Sequence, residues 1–128
     1  RDVFQLNGIR QSRPRDGRAS AATKTRRYIP IHLIDELFTD CGRDKQDCRW
    51  FLTHQPNRFM LETLRKQLRI PPERFVIHLE DGGNTVSATI PIALRAAQEA
   101  GTLKSGHLVM LIGFGVGYSW GATLVRWP

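Results

Sequence analysis

A layered α/β domain is the fold class this sequence predicts, and three observations predict it. Short, nearly continuous apolar runs such as "RFVIHL" and "HLVMLIGF" alternate with segments of helical period. The runs are too evenly apolar for a sheet wetted on one side, so the sheet is expected to be buried on both faces. Length and composition agree: 128 residues, 41% hydrophobic and 24% charged, suit one globular domain with a modest core.

Residues 1–27 read as a basic loop or linker, with "DVFQL" at 2–6 as a candidate short strand. They carry eight basic side chains against two acidic ones, so nearly all of the net charge of +7 sits there. A polyanion would meet this segment first. No aromatic interleaving or nucleic-acid motif accompanies the arginines, however, and a solvated arm without a nucleic-acid partner is the expectation. Regular structure begins with "PIHLIDELFTD", residues 30–40. Ile31, Ile34, Leu37 and Phe38 share one helical stripe there, Pro30 opens the segment and Gly42 follows its end. Residues 49–53 read as a strand. Residues 57–69 read as a helix capped by Asn57, with Met60, Leu61, Leu64 and Leu68 inward and "IPPE" as its stop. A strand at 74–79 and a turn "EDGGNT" lead to a helix at 85–100. Gly101 ends that helix, and Pro91 predicts a kink in it. Two strands, "HLVMLIGF" and "GATLVRW", close the chain, joined by "GVGYSW". No repeat recurs at a fixed period.

No apolar run is long enough to span a bilayer, and no signal-peptide pattern is present, so a cytoplasmic protein away from membranes is expected. The opening Arg1-Asp2-Val3 lacks an initiator Met and suggests a piece of a longer chain or a processed product. Cys41 and Cys48, with six residues between them, fit neither a zinc pair nor a disulfide framework and read as ordinary thiols; no metal site is expected. Cys41 falls at a helix C-terminus beside Asp40, and Cys48 follows Asp47. Both settings oppose thiolate formation.

In layered α/β domains, functional residues gather on loops at strand ends. Three loops qualify: "HQPN" after the first strand, "GGNT" after the second and "GFGVG" after the third. If the strands are neighbours, His54, Asn84 and a main-chain N–H of the glycine loop converge as neutral donors able to stabilise a developing oxyanion or enolate. Each has a plainer alternative: His54 as a structural histidine, Asn84 as a turn residue. His32, His78 and His107 read as structural. Gly113, Gly115 and Gly117 do not form G-x-G-x-x-G, and a strand follows them instead of a helix, which excludes a dinucleotide site. Glycines there let the backbone approach a ligand or another loop closely.

"HQPN", then "GGNTVSATIPIAL", then "GFGVGYSWGATLVRW" together resemble the C-terminal half of β-ketoacyl-acyl carrier protein synthase III, a thiolase-fold condensing enzyme. Members read close to H-Q-A-N, G-N-T-S-A-A-S-I-P and G-F-G-G-G-x-T-W-G-A, and the match runs over roughly residues 28–128. The resemblance implies a thiolase-like half-domain with helices on a mixed, buried sheet, and a Cys-His-Asn triad of which His54 and Asn84 are two members. Their implied role is to hydrogen-bond the thioester oxygen of a malonyl group during decarboxylation. It also implies an oxyanion N–H at Val116, substrate contacts at Asn57, Phe114 and Gly115, and an acidic carrier protein facing Arg58, Arg65 and Lys66.

Further implications concern partners. No cofactor is held permanently; the substrates are acyl-CoA and phosphopantetheine-linked thioesters. The nucleophilic cysteine comes from an N-terminal half in the same or another chain, the whole enzyme is a homodimer, and it primes fatty-acid or polyketide synthesis. Two departures stand out. Arg58 and Phe59 are swapped relative to the family order, and nothing in this chain matches the setting of the family's nucleophile. Two other readings stay open: a thiolase-fold acyltransferase without condensation, and a non-catalytic partner subunit.

Overall fold

The computed structural model describes residues 31–115 and 119–128; the basic segment 1–27 and its candidate strand lie outside the described residues. In chain order the elements are α1 (Ile31–Asp40), β1 (Trp50–Thr53), α2 (Arg58–Leu68), β2 (Phe75–Val76), α3 (Thr89–Glu99), β3 (Leu108–Gly115) and β4 (Ser119–Arg126). Short 3₁₀ turns stand at Lys45–Asp47, Pro72–Arg74 and Val86–Ala88. The sheet runs β2-β1-β3-β4. β1 is parallel to both β2 and β3, whereas β3 and β4 form an antiparallel hairpin, so the sheet is mixed.

Alternation along the strands divides the interior. Phe51, Phe75, Leu108, Met110, Ile112 and Leu124 join Ile34 and Phe38 of α1 and Leu61, Leu64 and Leu68 of α2 in one core. Each such side chain, fully buried, contributes roughly 1.5–3 kcal/mol. Leu52 and Val109 alternate to the opposite face. There α3 packs against β1, burying Thr89 and Ala93.

The helices end as their sequences dictate. Asn57 accepts the Met60 N–H at 2.9 Å and caps α2. At the other end Arg69 turns left-handed (φ 57), and Ile70 N–H bonds back to the Arg65 carbonyl before two prolines forbid continuation. Gly42 (φ +60) follows α1 and Gly101 (φ +71) follows α3, both in conformations that suit glycine.

Three expectations need correction. The strand predicted over 74–79 pairs only at Phe75 and Val76. Beyond them a side chain replaces the ladder: Gln55 donates to the Val76 carbonyl and accepts from His78 N–H. The helix predicted over 85–100 is split into the 3₁₀ turn Val86–Ala88 and α3. Pro91 therefore falls in the first turn of α3, where its missing N–H has no intrahelical acceptor to lose, and nothing forces the predicted kink. Finally, "GVGYSW" is not a six-residue connection, because Gly115, Ser119 and Trp120 pair in the hairpin ladder and only residues 116–118 link the strands.

Candidate functional site

The parallel pairing of β1 with β3 places the carboxyl ends of both strands side by side, with Thr53 opposite Ile112. His54 extends this register, donating its backbone N–H to the Ile112 carbonyl at 2.7 Å. Its ring consequently lies against the next apolar residue of β3, Phe114, edge to face with centroids 5.2 Å apart. On its other side, Nδ1 lies 2.7 Å from the Thr89 hydroxyl at the start of α3. Three elements thus fix one imidazole. Burial lowers the His54 pKa and the Val86 carbonyl opposes that shift, so the net effect favours the neutral ring.

Behind the histidine, Gln55 is fully buried. Its amide donates to the carbonyls of Thr53 (2.8 Å) and Val76 (3.2 Å) and accepts from His78 N–H (2.8 Å), while its backbone N–H reaches Thr89 Oγ1 at 3.2 Å. The residue after the strand is therefore a peg that locks β1 to the segment leaving β2.

Asn84 sits in the exposed turn ahead of α3. Its Oδ1 accepts the Val86 N–H at 2.9 Å, which orients the carboxamide and leaves Nδ2 without a partner among the described residues. Val86 has φ 58, a conformation that costs a β-branched residue of order 1–3 kcal/mol and that concentrates at functional sites. The Val86 carbonyl in turn accepts from the backbone N–H and the hydroxyl of Thr89. Asn84 and His54 are connected through these two residues.

The other predicted residues fare differently. Phe114 is at the site, and Gly115 is a ladder residue opposite Ser119; Val116 lies outside the described residues. A Cβ added at Gly115 would meet nothing within 4 Å among the described residues. Asn57 is the cap of α2. Exposed Arg58 pairs with Glu80 at 2.6 Å. Arg65 is tied down, bonded to Glu62 at 2.8 Å and to the Ile70 carbonyl at 3.0 Å, whereas Lys66 is exposed.

Both thiols are biased against the thiolate form. Burial pushes Cys48 up to about 12, and burial followed by Asp40 raises Cys41. Among the described residues no group of three or more His, Cys, Asp or Glu side chains could hold a metal, and no helix is long and apolar enough to cross a membrane. Sequence reasoning missed Gln55 and Thr89. A buried-amide role for Gln55 had one local signal, its place between a strand and a proline. Thr89, on a helix 35 positions from its partner, had none.

Comparison with known proteins identifies the family. Residues 38–127 match the family described as 3-oxoacyl-[acyl-carrier-protein (ACP)] synthase III C terminal. The β-ketoacyl-[acyl-carrier-protein] synthase III of Syntrophomonas wolfei is 40% identical over 99 residues, covering 77% of this chain and 30% of the relative. That of Agrobacterium fabrum is 41% identical over 95 residues, covering 74% and 29%. Among solved structures, the 3-oxoacyl-(acyl carrier protein) synthase III of Pseudomonas aeruginosa superposes with TM-score 0.71 at 35% identity, over 77% of this chain and 30% of that one. The Thermus thermophilus β-ketoacyl synthase III gives TM-score 0.73 at 33% identity, over 84% and 33%. The chain thus spans about 30% of the length of the curated relatives it matches, and its fold is thiolase-like. It belongs to the family of 3-oxoacyl-[acyl-carrier-protein] synthase III C-terminal domains.

Proposed function

We propose that this chain is the C-terminal part of a β-ketoacyl-acyl carrier protein synthase III-like enzyme that catalyses decarboxylative condensation of an acyl thioester with a malonyl thioester. The observation that carries the reading is the imidazole of His54, held by three elements and linked through Thr89 and Val86 to an asparagine whose Oδ1 is already engaged. Two uncharged donors suit an oxygen that gains negative charge only in the transition state.

The C–CO₂ bond of the malonyl group breaks, CO₂ leaves, and the electron pair moves into the thioester carbonyl. His54 Nε2–H and Asn84 Nδ2–H stabilise the resulting enolate oxygen. The enolate carbon attacks the acyl group carried on a cysteine, the N–H of Val116 stabilises the tetrahedral oxyanion, and its collapse expels the cysteine thiolate. That cysteine belongs to an N-terminal half in the same or another chain, since Cys41 and Cys48 are both held as thiols. The half packs beside α3, where Val86 and Ile92 leave apolar surface exposed. Asn57, Phe114 and Gly115 line the approach of the pantetheine arm. Arg58, Arg65 and Lys66 face the acidic carrier; Arg58 is also paired with Glu80 and Arg65 with Glu62. The whole enzyme is a dimer in the cytoplasm and primes fatty-acid or polyketide synthesis from acyl-CoA, with no permanent cofactor.

The test uses the assembled enzyme. His54→Ala and Asn84→Ala should each lower condensation by ~10²–10³ while a radiolabelled acyl group still loads onto the cysteine. The double variant should cost much less than the product of the singles, because the two donors act as a unit. Near wild-type condensation by Asn84→Ala would sink the decarboxylative reading.

A further inference from the structure

At the other end of the sheet from His54, an open pocket of about 400 Å³ lies at the amino ends of the parallel strands β1 and β3. Arg49, Trp50, Gly101, Thr102, Lys104 and His107 line it, and no acidic side chain does. The length of β1, roughly 13 Å of extended chain, separates it from His54. Arg49 donates its backbone N–H to the Leu108 carbonyl at 2.8 Å, which sets it beside the turn that carries Lys104 and His107. Its guanidinium lies 4.3 Å from the centroid of the Trp50 ring, and Nη1 reaches the Glu73 carbonyl at 3.3 Å. The indole is itself fixed, because its Nε1–H donates to the Thr102 carbonyl at 3.2 Å. Stacking engages the face of a guanidinium and leaves its N–H edge for an anion. In the neighbouring turn, His107 Nδ1 accepts the Lys104 backbone N–H at 3.2 Å. A backbone N–H can only donate, so the proton of that ring is on Nε2. Trp127 anchors the turn, accepting from Gly106 N–H and donating to the His107 carbonyl, both at 2.8 Å. Neither Arg49 nor Lys104 is ion-paired among the described residues.

We infer that this pocket binds a phosphate-bearing small molecule through its phosphate oxygens. Two cations ask for more than the single charge of a carboxylate, and a phosphate monoester carries close to two. Its three free oxygens can each take a different donor: the guanidinium edge, the Lys104 ammonium and His107 Nε2–H. The space is that of a small-molecule cleft, whose usual range begins at roughly 300 Å³, and the indole gives an organic body an apolar wall. The inference is independent of the proposed condensation, whose donors stand at the opposite ends of the strands. It also gives a task to His107, which the sequence presented as a structural residue.

The test uses the assembled enzyme and reads the pocket locally. Chemical acetylation of lysines is followed by peptide mass spectrometry with ADP or inorganic pyrophosphate present. Both should protect Lys104 half-maximally below about 1 mM, and neither should protect Lys66, which is exposed on α2. A lower concentration for ADP assigns the site to phosphate esters and equal concentrations assign it to inorganic phosphates; either sustains the inference. Arg49→Gln removes a charge at an exposed position and should raise the half-protecting ADP concentration about tenfold or more, since bonds to charged groups are the stronger ones. Rising salt should weaken the protection. Acetylation of Lys104 at an unchanged rate overturns the inference without any variant. So does equal protection of Lys104 and Lys66, which is general screening, or equal protection by acetate at matched ionic strength. An Arg49→Gln variant protected at the wild-type ADP concentration overturns it as well.

Discussion

The two polypeptide segments that supply His54 and Asn84 are built to different standards. The end of β1 is rigid: Thr53 and Gln55 are fully buried, and every polar atom of the Gln55 amide side chain is used. The turn before α3 is the reverse, with residues 80–88 exposed and Val86 in a left-handed conformation. One donor is preorganised by the core of this chain. The other rests on a short side chain–backbone bond and a strained residue, with exposed apolar surface beside it. The difference is between a segment ordered by the core of this chain and one that depends on a few local bonds.

The comparison breaks most severely at Gln55. Gln55→Leu keeps the bulk but orphans the carbonyls of Thr53 and Val76 and the N–H of His78. Net hydrogen bonds are worth about 1 kcal/mol each, and buried orphans cost about 1–3 kcal/mol, so a destabilisation of about 3 kcal/mol or more is expected from denaturant midpoints. A loss below about 1 kcal/mol would show that the rigidity of this end lies in the β1–β3 ladder instead.

The sequence made the outline of the fold legible because its signals are local. The stripe of α1, the Asn57 cap and the prolines after α2 each act within one or two turns, and the structure agrees with all of them. The failures have a common cause, which is tertiary contact overriding local preference. β2 is short because a side chain from another strand satisfies its backbone. The Pro91 kink disappears because strain at Val86 delays the helix start. At the candidate site, His54 was legible as a polar residue just past a strand and Asn84 as one in a glycine-rich turn. Thr89 and Gln55 were not, because a buried hydroxyl or amide looks ordinary until its partners are known. What the sequence did not reveal about Arg65 is that Glu62 and the Ile70 carbonyl hold its guanidinium.

A smaller effect sharpens the comparison from the strained side. Val86→Asn places at φ 58 a residue that tolerates the left-handed region, and should raise stability by roughly 0.5–1 kcal/mol. Val86→Gly should gain less, since glycine frees the unfolded chain. Thermal midpoints of the two variants against wild type measure the strain. A midpoint lowered by both would mean that the valine side chain makes contacts worth more than the strain.

The smallest effect is the pH dependence of the rigid end. Burial holds the folded-state pKa of His54 below its ordinary value of 6.5, and no charged side chain contributes to the shift. Above about pH 6.5 the ring is neutral in both folded and unfolded chains, so His54 does not affect the balance. As pH falls through 6.5 the unfolded chain binds the proton first, and stability declines until pH passes the lower folded-state value. The difference between wild type and His54→Asn isolates this one group. Wild type should lose more stability than the variant on going from about pH 7 to 5, because asparagine has no proton to bind. Parallel curves would mean that the cation is accommodated as well as the neutral ring, with the Val86 carbonyl accepting Nδ1–H. The rigid end would then be a site that tolerates charge, and the assignment of His54 as a strictly neutral donor would fall with it.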